Sequence, residues 1–119
     1  MASSSAFREV GGGVTPIMAR KTKTMPAIHP GQTLWEDFLE PLGMTVYRVA
    51  MELTVSAARV NDIVRGKRAI TADTAPRLAR YFGTTPQFWM SLQANYDLEL
   101  AQDARGPEIA DRIRPRQAA

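Results

Sequence analysis

Two short helical patterns separated by only Thr54 and Val55 constrain the fold of this chain more than any other feature. In the first, "VYRVAMEL", apolar residues recur at i, i+3, i+4 and i+7, and Thr45 stands directly before it as an N-cap. Ser56 holds the same place before the second, "AARVNDIV", which stops at Gly66. Two helices joined by so short a turn are expected to cross steeply, with the second helix held off the body of the domain.

The other apolar patterns are also helical, and none alternates as a strand would. The chain therefore predicts an all-α domain of five helices around one core. Proline within the fourth pattern, at position 76, lacks an N–H and crowds the carbonyl of Ala72, so a bend or a late helix start near Thr74 is expected. The three further helices are predicted from Pro30 to Pro41 and Gly43, from Thr71 as N-cap to Gly83, and from Thr85 and Pro86 to Gly106 and Pro107.

The ends of the chain differ in composition from its middle. Residues 1–28 are rich in Ser, Gly, Thr and Lys and have no apolar period, which predicts a flexible basic arm. Residues 29–104 carry the five helical patterns and form the predicted domain, including a C-terminal helix for dimerisation. Residues 105–119 are expected to be a short basic tail.

Composition argues against several classes of protein. Without cysteine there is no disulfide framework, thiolate metal site or cysteine nucleophile, and the one histidine, His29, has no metal partner at useful spacing. Glu36, Asp37 and Glu40 fit the polar face of an amphipathic helix better than a catalytic carboxylate pair. The apolar runs are too short for a membrane span, and no signal peptide is recognisable. We expect a cytoplasmic protein that is not an enzyme and needs no cofactor or metal.

Charge is unevenly distributed along the predicted domain. Its seven basic residues all fall between positions 45 and 80, against three acids in that segment, whereas the flanking segments are acidic. Basic residues clustered on consecutive elements are what a phosphate-facing surface needs, although a solvated face without function would have the same composition. The short turn, the two caps and "GKR" after the second helix favour DNA binding over an ordinary helical hairpin.

The segment "SAARVNDIVRGKRAITADTAPRLARYFGTTPQFWMSLQANYDLELA", with "HPGQTL" and "DFLEPLGMT" before it, resembles the HigA-type antitoxins, a branch of the XRE (lambda-repressor-like) helix-turn-helix regulators. The resemblance covers about residues 29–104. It implies a lambda-repressor-like DNA-binding domain and a homodimer that represses its own operon. It also implies a partner, a small basic RelE-like toxin that cleaves mRNA. Relatives of this kind commonly carry glycine where Thr54 stands, because the turn requires positive φ, and a β-branched residue there costs about 1 kcal/mol.

Within the second helix of the motif, Ala57 and Ala58 occupy places where the family often has Arg or Gln. Alanine can contact only a thymine methyl, so base reading is expected to shift to Arg59 and Asn61, with Asp62 accepting from cytosine. For Arg59 the alternative is a surface ion pair with Asp62 or Glu52. The remaining predicted DNA contacts, mainly to phosphate, are Thr45, Arg48, Ser56, Lys67, Arg68 and Thr71.

The fifth helix has apolar residues on two nearly opposite faces. Phe88, Leu92, Tyr96 and Leu100 form one stripe, with Trp89 beside it, and this stripe is expected to join the core. The second stripe needs another partner, so a dimer interface is predicted at Met90, Ala94, Leu98 and Ala101. A twofold dimer would place two recognition helices about 34 Å apart on a palindromic operator.

Two other functions remain compatible with the sequence. One is a solitary XRE-type regulator without a toxin. The other is a toxin-binding interaction module whose DNA readout has weakened, which the two alanines would explain.

Overall fold

Five helices make up the part of the chain that the computed structural model describes, residues 26–117, and this part contains no strand. The first helix, α1, runs through three consecutive stretches, Pro30–Thr33, Leu34–Leu39 and Glu40–Leu42. The others are α2 (Val46–Leu53), α3 (Ala57–Val64), α4 (Thr74–Phe82) and α5 (Pro86–Arg112). The all-α prediction is confirmed.

The middle of α1 is wound as a π-helix, in which the N–H of Glu40 donates to the carbonyl of Trp35, five residues back. The next residue, Pro41, has no N–H to continue the ladder. Gly43 then adopts a left-handed conformation, with φ of 65°, and ends the helix as predicted.

Side-chain caps define where three of the helices begin. The hydroxyls of Thr45, Ser56 and Thr85 each accept a hydrogen bond, at 3.1 Å, from the backbone N–H three residues later. These are the caps predicted for α2, α3 and α5. Between α2 and α3 lie Thr54, Val55 and Ser56, and the Ser56 cap ends this short turn.

The core lies where α1 to α4 and the first turns of α5 meet. Trp89 is fully buried at its centre, and the indole Nε1 donates to the hydroxyl of Thr84 at 2.7 Å. Leu34, Trp35, Phe38 and Leu39 have the spacing of one apolar stripe in α1, which predicts an inward Trp35, but Trp35 is 38% exposed. Helical spacing also predicts one inward apolar stripe in each of α2, α3 and α4, and these stripes pack in the core as expected. The buried apolar residues are Leu34, Leu39, Val49, Ala50, Leu53, Val60, Ile63, Ile70, Ala75, Leu78, Ala79 and Trp89.

The start of α4 agrees with the effect expected of Pro76. The helix begins at Thr74, so Pro76 lies in its first turn, where its missing N–H costs nothing. Thr71 still assists this start, because its hydroxyl accepts from the N–H of Thr74 at 3.4 Å. The predicted N-cap, Thr71, was wrong, because the residue directly before the helix is Asp73.

The predicted end of α5 at Gly106 and Pro107 was wrong, because the helix continues to Arg112. Proline removes the N–H that would bond to the carbonyl of Asp103, but both residues are exposed, so water can solvate that carbonyl. A Cβ added to Gly106 would meet no atom within 4 Å, so no neighbouring element forces a kink there. The expectation that proline ends a helix was wrong here because, within residues 26–117, no other element packs around this part of α5.

Residues 1–25 of the predicted arm and the last two residues of the tail lie outside the described residues. Among residues 26–117, no helix combines the length and apolar character that crossing a membrane requires.

Candidate nucleic-acid interface

Helix α3 presents one face to the core and another to solvent. Val60 and Ile63 are buried, and Val64 packs against the core from the edge. Ala58 and Arg65 are exposed on the opposite side, and half-buried Asp62 lies between them. Because these three positions are spaced i, i+4 and i+7, they form a single outer face of α3.

The two alanines at the start of α3 have different surroundings. Ala57 is half-buried and packs against the core, so its methyl group supports the fold. Ala58 is exposed on the outer face. Of the pair, Ala58 alone offers a methyl group to a ligand approaching α3 from outside.

Arg59 is held by an acid that neither sequence alternative named. Its Nη1 donates to Oδ2 of Asp73 at 2.7 Å, whereas pairing with Asp62 or Glu52 had been the alternative to DNA contact. The guanidinium groups of Arg59 and then Arg77 hydrogen-bond to the Asp73 carboxylate and lower its pKa below the ordinary value of 3.8.

Arg77 connects the same carboxylate to the turn between α2 and α3. Its Nε donates to Oδ2 of Asp73 at 3.1 Å. Its Nη1 reaches the carbonyl of Leu53 at 2.9 Å and the hydroxyl of Thr54 at 3.0 Å. We call Arg59, Asp73, Arg77 and Thr54 together the Asp73 network.

Thr54 has the left-handed conformation that the family resemblance led us to expect, with φ of 55°. It is the one residue other than glycine with positive φ in the described part of the chain. Its hydroxyl donates to the carbonyl of Leu53 at 2.6 Å while accepting from Arg77. These two hydrogen bonds offset the strain of a β-branched residue at this position.

Asn61 lies on the side of α3 that faces α1 and α2. It is half-buried and lines a shallow depression of about 470 Å³ together with Trp35, Val46 and Val64. The structure therefore separates the two predicted base readers, because Asn61 lies at one edge of α3 and Arg59 at the other.

The other predicted DNA contacts are divided between caps, ion pairs and unpaired cations. Thr45 and Ser56 are exposed caps at the N-termini of α2 and α3. Exposed Thr71 assists the start of α4. Arg48 pairs with Glu52 at 2.7 Å, and Arg68 pairs with Asp62 at 3.3 Å. Lys67 is exposed and has no side-chain partner among residues 26–117.

Sequence reasoning missed three residues of this surface. Arg65 is exposed on the outer face and, within the described residues, makes no ion pair. Its spacing from Ala58 and Asp62 would have identified it. Asp73 and Arg77 could not have been found in this way, because they meet α3 and the turn across 14 and 23 residues of sequence.

The four residues predicted for a dimer interface are exposed on α5. Met90 is 38% and Leu98 57% exposed, and Ala94 and Ala101 are exposed as well. The inward face of α5 is centred on buried Trp89 and Gln93. The predicted inward stripe from Phe88 to Leu100 was therefore misplaced on the helix. The side-chain oxygen of Gln93 accepts a hydrogen bond from the N–H of Ile70 at 2.8 Å.

His29 is an N-cap. Its Nδ1 accepts from the N–H of Gly31 at 2.8 Å, and its ring packs edge-on against Tyr96. Partial burial lowers the pKa of this imidazole below its ordinary value of 6.5, more strongly than the Asp97 carboxylate and the Arg68 carbonyl raise it. No group of three His, Cys, Asp or Glu within residues 26–117 is arranged to hold a metal ion.

Comparison with known proteins agrees with this geometry. A family model described as helix-turn-helix matches residues 36–89. Virulence-associated protein I of Dichelobacter nodosus is 53% identical over 78 residues, 66% of this chain and 72% of that protein. Antitoxin HigA-1 of Vibrio cholerae is 38% identical over 79 residues, 66% of this chain and 73% of the relative.

A solved structure of the Pseudomonas aeruginosa antitoxin HigA with the higBA promoter superposes with a TM-score of 0.75 at 47% identity, covering 76% of this chain and 99% of that one. The chain belongs to the HigA antitoxins, a family of helix-turn-helix DNA-binding proteins.

Proposed function

We propose that this protein is a dimeric transcriptional repressor of the HigA type, which occupies an operator in its own promoter through two α3 helices and acts in the cytoplasm. The observation that carries the proposal is the outer face of α3, where Ala58 and Arg65 are exposed, with the Ser56 cap before it and exposed Lys67 after it. Neither of these two cations makes an ion pair within residues 26–117. The Pseudomonas relative was solved with promoter DNA, which supports the same ligand here.

Electrostatics favour the same surface. Each of the three acids between positions 45 and 80 is paired with an arginine, so no free carboxylate opposes an incoming phosphate. The caps at Thr45 and Ser56 lie where helix N-terminal N–H groups bind phosphate well. Arg48, Lys67, Arg68 and Thr71 then supply affinity and register, and Arg59, Asn61 and Asp62 are left to read bases.

Dimerisation is proposed through α5. Leu98 and Met90 form an exposed apolar stripe with Ala94 and Ala101, and a second copy of the chain would bury it. A twofold pair of chains positions two α3 helices for half-sites about one helical turn apart.

The second proposed activity is neutralisation of a small basic RelE-like toxin. The acidic flanks support a basic partner, since Glu36, Asp37 and Glu40 on α1 are exposed. Asp97 and Asp103 on α5 are exposed as well. These groups lie outside the basic segment, so the toxin and DNA would use different surfaces.

The decisive experiment is a gel shift on the protein's own promoter at two salt concentrations, with random DNA of equal length as competitor. We expect a shift at low salt, preference for the promoter, and a steep loss of affinity as salt rises. Absence of a shift at low salt would contradict the repressor and favour an interaction module without DNA readout. Co-purification with the product of a small neighbouring gene separates the antitoxin from a solitary regulator.

Two substitutions sort base contacts from phosphate contacts in that assay. Arg59→Ala is expected to cost roughly 1–3 kcal/mol and to relax preference at one base pair. Lys67→Ala should weaken binding to all sequences alike and reduce the salt dependence by about one phosphate. Equal losses on promoter and random DNA for Arg59→Ala would assign Arg59 to the DNA backbone.

A further inference from the structure

The carboxylate of Asp73 is shared by two arginines that come from different helices. Oδ2 accepts from Nη1 of Arg59 on α3 at 2.7 Å and from Nε of Arg77 on α4 at 3.1 Å. Asp73 itself lies just before α4 and is more than half exposed. Its position places one negative charge directly beside the recognition helix.

Arg77 prevents this carboxylate from moving independently of the motif. The same guanidinium binds Asp73 through Nε and the Leu53 carbonyl through Nη1, at 3.1 and 2.9 Å. It also contacts the hydroxyl of Thr54. The carboxylate is thus tied to the turn that sets the angle between α2 and α3.

Arg59 keeps most of its hydrogen-bonding capacity in this arrangement. A guanidinium has five N–H donors, and one of them is directed at Asp73, so a pair of donors remains for the O6 and N7 acceptors of a guanine. A free arginine loses side-chain entropy when it docks, whereas a side chain already held in place loses less. The contact with Asp73 therefore orients Arg59 and leaves a pair of its N–H donors available for a base.

We propose that Asp73 is a positioning residue for base recognition, which orients the Arg59 guanidinium on α3 and is itself fixed to the helix-turn-helix turn by Arg77. The proposal rests on the proposed DNA-binding function. The lowered pKa of Asp73, caused by the hydrogen bonds from Arg59 and Arg77, keeps the carboxylate ionised at neutral pH, as this role requires. Because Arg77 ties Asp73 to the turn between α2 and α3, the geometry of that turn affects how the Arg59 guanidinium is oriented toward a base.

A carboxylate near DNA also repels phosphate, so affinity alone does not test this role. Removing any acid from this surface raises affinity for all DNA, whereas removing a positioning residue lowers the ratio of promoter affinity to random-DNA affinity. The measurement is therefore this ratio, obtained from titrations of both DNAs by fluorescence anisotropy at one salt concentration. Asp73→Asn is expected to raise affinity for random DNA and to lower the ratio by roughly tenfold.

Glu52→Gln is the matched control. Glu52 pairs with Arg48 at 2.7 Å, so the substitution also removes one negative charge and frees one arginine. It is expected to raise both affinities and leave the ratio unchanged. A ratio that falls equally in both variants would overturn the specific role of Asp73.

The route through Arg59 is tested in a double variant. Arg59→Lys keeps the charge but loses the planar fork, so it should lower the ratio on its own. Asp73→Asn added to Arg59→Lys should then change the ratio little further, because the group it positions is gone. Full additivity would show that Asp73 acts through another residue. If circular dichroism shows that Asp73→Asn does not fold, Asp73→Glu replaces it, because glutamate keeps the carboxylate. Its ratio of promoter affinity to random-DNA affinity is expected to exceed that of Arg59→Lys, and a ratio no larger than that of Arg59→Lys would contradict the positioning role.

The results distinguish failure of the positioning role of Asp73 from failure of the proposed DNA-binding function. If the unmodified protein shows no preference for its promoter, the proposed function fails and the positioning role fails with it. If that preference exists and Asp73→Asn retains it in full, DNA recognition stands and the positioning role alone is overturned.

Discussion

Gly31 lies where the first turn of α1 passes closest to the end of α3. The residue is buried, and a Cβ built on it would overlap the carbonyl oxygen of Ile63. Both partners in this approach are backbone, so neither can move aside by changing rotamer. The identity of a single residue thus sets how closely α1 can approach α3.

Gly31→Ala is accordingly expected to lower the free energy of unfolding by about 3 kcal/mol or more, measured by urea denaturation. Gly106→Ala is the matched control, since a Cβ there meets nothing and alanine is the better helix former. It should stabilise the protein by up to about 1 kcal/mol. A similar small effect at both positions would contradict the close approach of α1 and α3.

His29 gives the fold a dependence on pH. Its Nδ1 can accept from Gly31 only when unprotonated, and burial lowers the folded-state pKa below the unfolded value of 6.5. Because the unfolded chain then binds the proton more readily, this stabilisation is complete above about pH 6.5 and is lost as pH falls below it. His29→Asn keeps an N-cap acceptor that does not titrate.

The free energy of unfolding of the natural protein should therefore decline relative to His29→Asn between pH 7 and pH 5. The two proteins share their other titrating groups, so the difference between them isolates the imidazole. Parallel stability curves over that interval would show that His29 titrates alike in the folded and unfolded states.

At the scale of elements, the turn between α2 and α3 depends on a side chain from α4. Arg77 donates to the Leu53 carbonyl and to the Thr54 hydroxyl, and Thr54 occupies a conformation that usually requires glycine. The angle between the two helices of the motif is thus set by their own caps and by a third helix.

Arg77→Met is expected to lower the free energy of unfolding by about 1–2 kcal/mol, because the hydrogen bonds from Nη1 to the Leu53 carbonyl and to the carbonyl and hydroxyl of Thr54 are lost. In a Thr54→Gly background the same change should cost less, since glycine adopts positive φ without strain and brings no hydroxyl. Thermal or urea unfolding of the four proteins completes the cycle. An identical cost in both backgrounds would show that Arg77 does not stabilise the strained turn.

At the scale of the whole molecule, α5 extends well beyond the body of the domain. Trp89 and Gln93 are buried at its start, whereas Leu98, Leu100 and Ile109 are each 45% or more exposed. The surface left open is apolar on the face that we propose for dimerisation. A single chain therefore contains one helix-turn-helix motif, whereas the proposed operator-binding unit consists of two chains.

Leu98→Glu is expected to shift the protein from dimer to monomer in analytical ultracentrifugation, because two copies would bring two carboxylates together in an apolar interface. Promoter affinity should fall by more than tenfold, since a monomer engages only one half-site. Ala110→Glu is the control, since it adds the same charge at an exposed position on the opposite side of α5. A dimer that survives Leu98→Glu would place the interface elsewhere.

Local sequence patterns are sufficient to predict the features that depend on local rules. The caps at Thr45 and Ser56, the inward face of α3 and the late start of α4 all follow from spacing and residue type within a single turn or two. The same reasoning predicted α3 itself, because a capped apolar pattern so soon after α2 has few other solutions. It misjudged Pro107, since the cost of a proline in a helix depends on what surrounds it.

Which side chains contact one another depends on how the helices pack. The contacts of Asp73 with Arg59 and of Arg77 with the turn join residues 14 and 23 positions apart, and the packing of His29 on Tyr96 joins opposite ends of the domain. No periodicity encodes such pairs, because they arise from the angles at which whole helices cross. The helices and the capped α2–α3 motif could therefore be predicted from the sequence, whereas the Asp73 network could be found only in the folded chain.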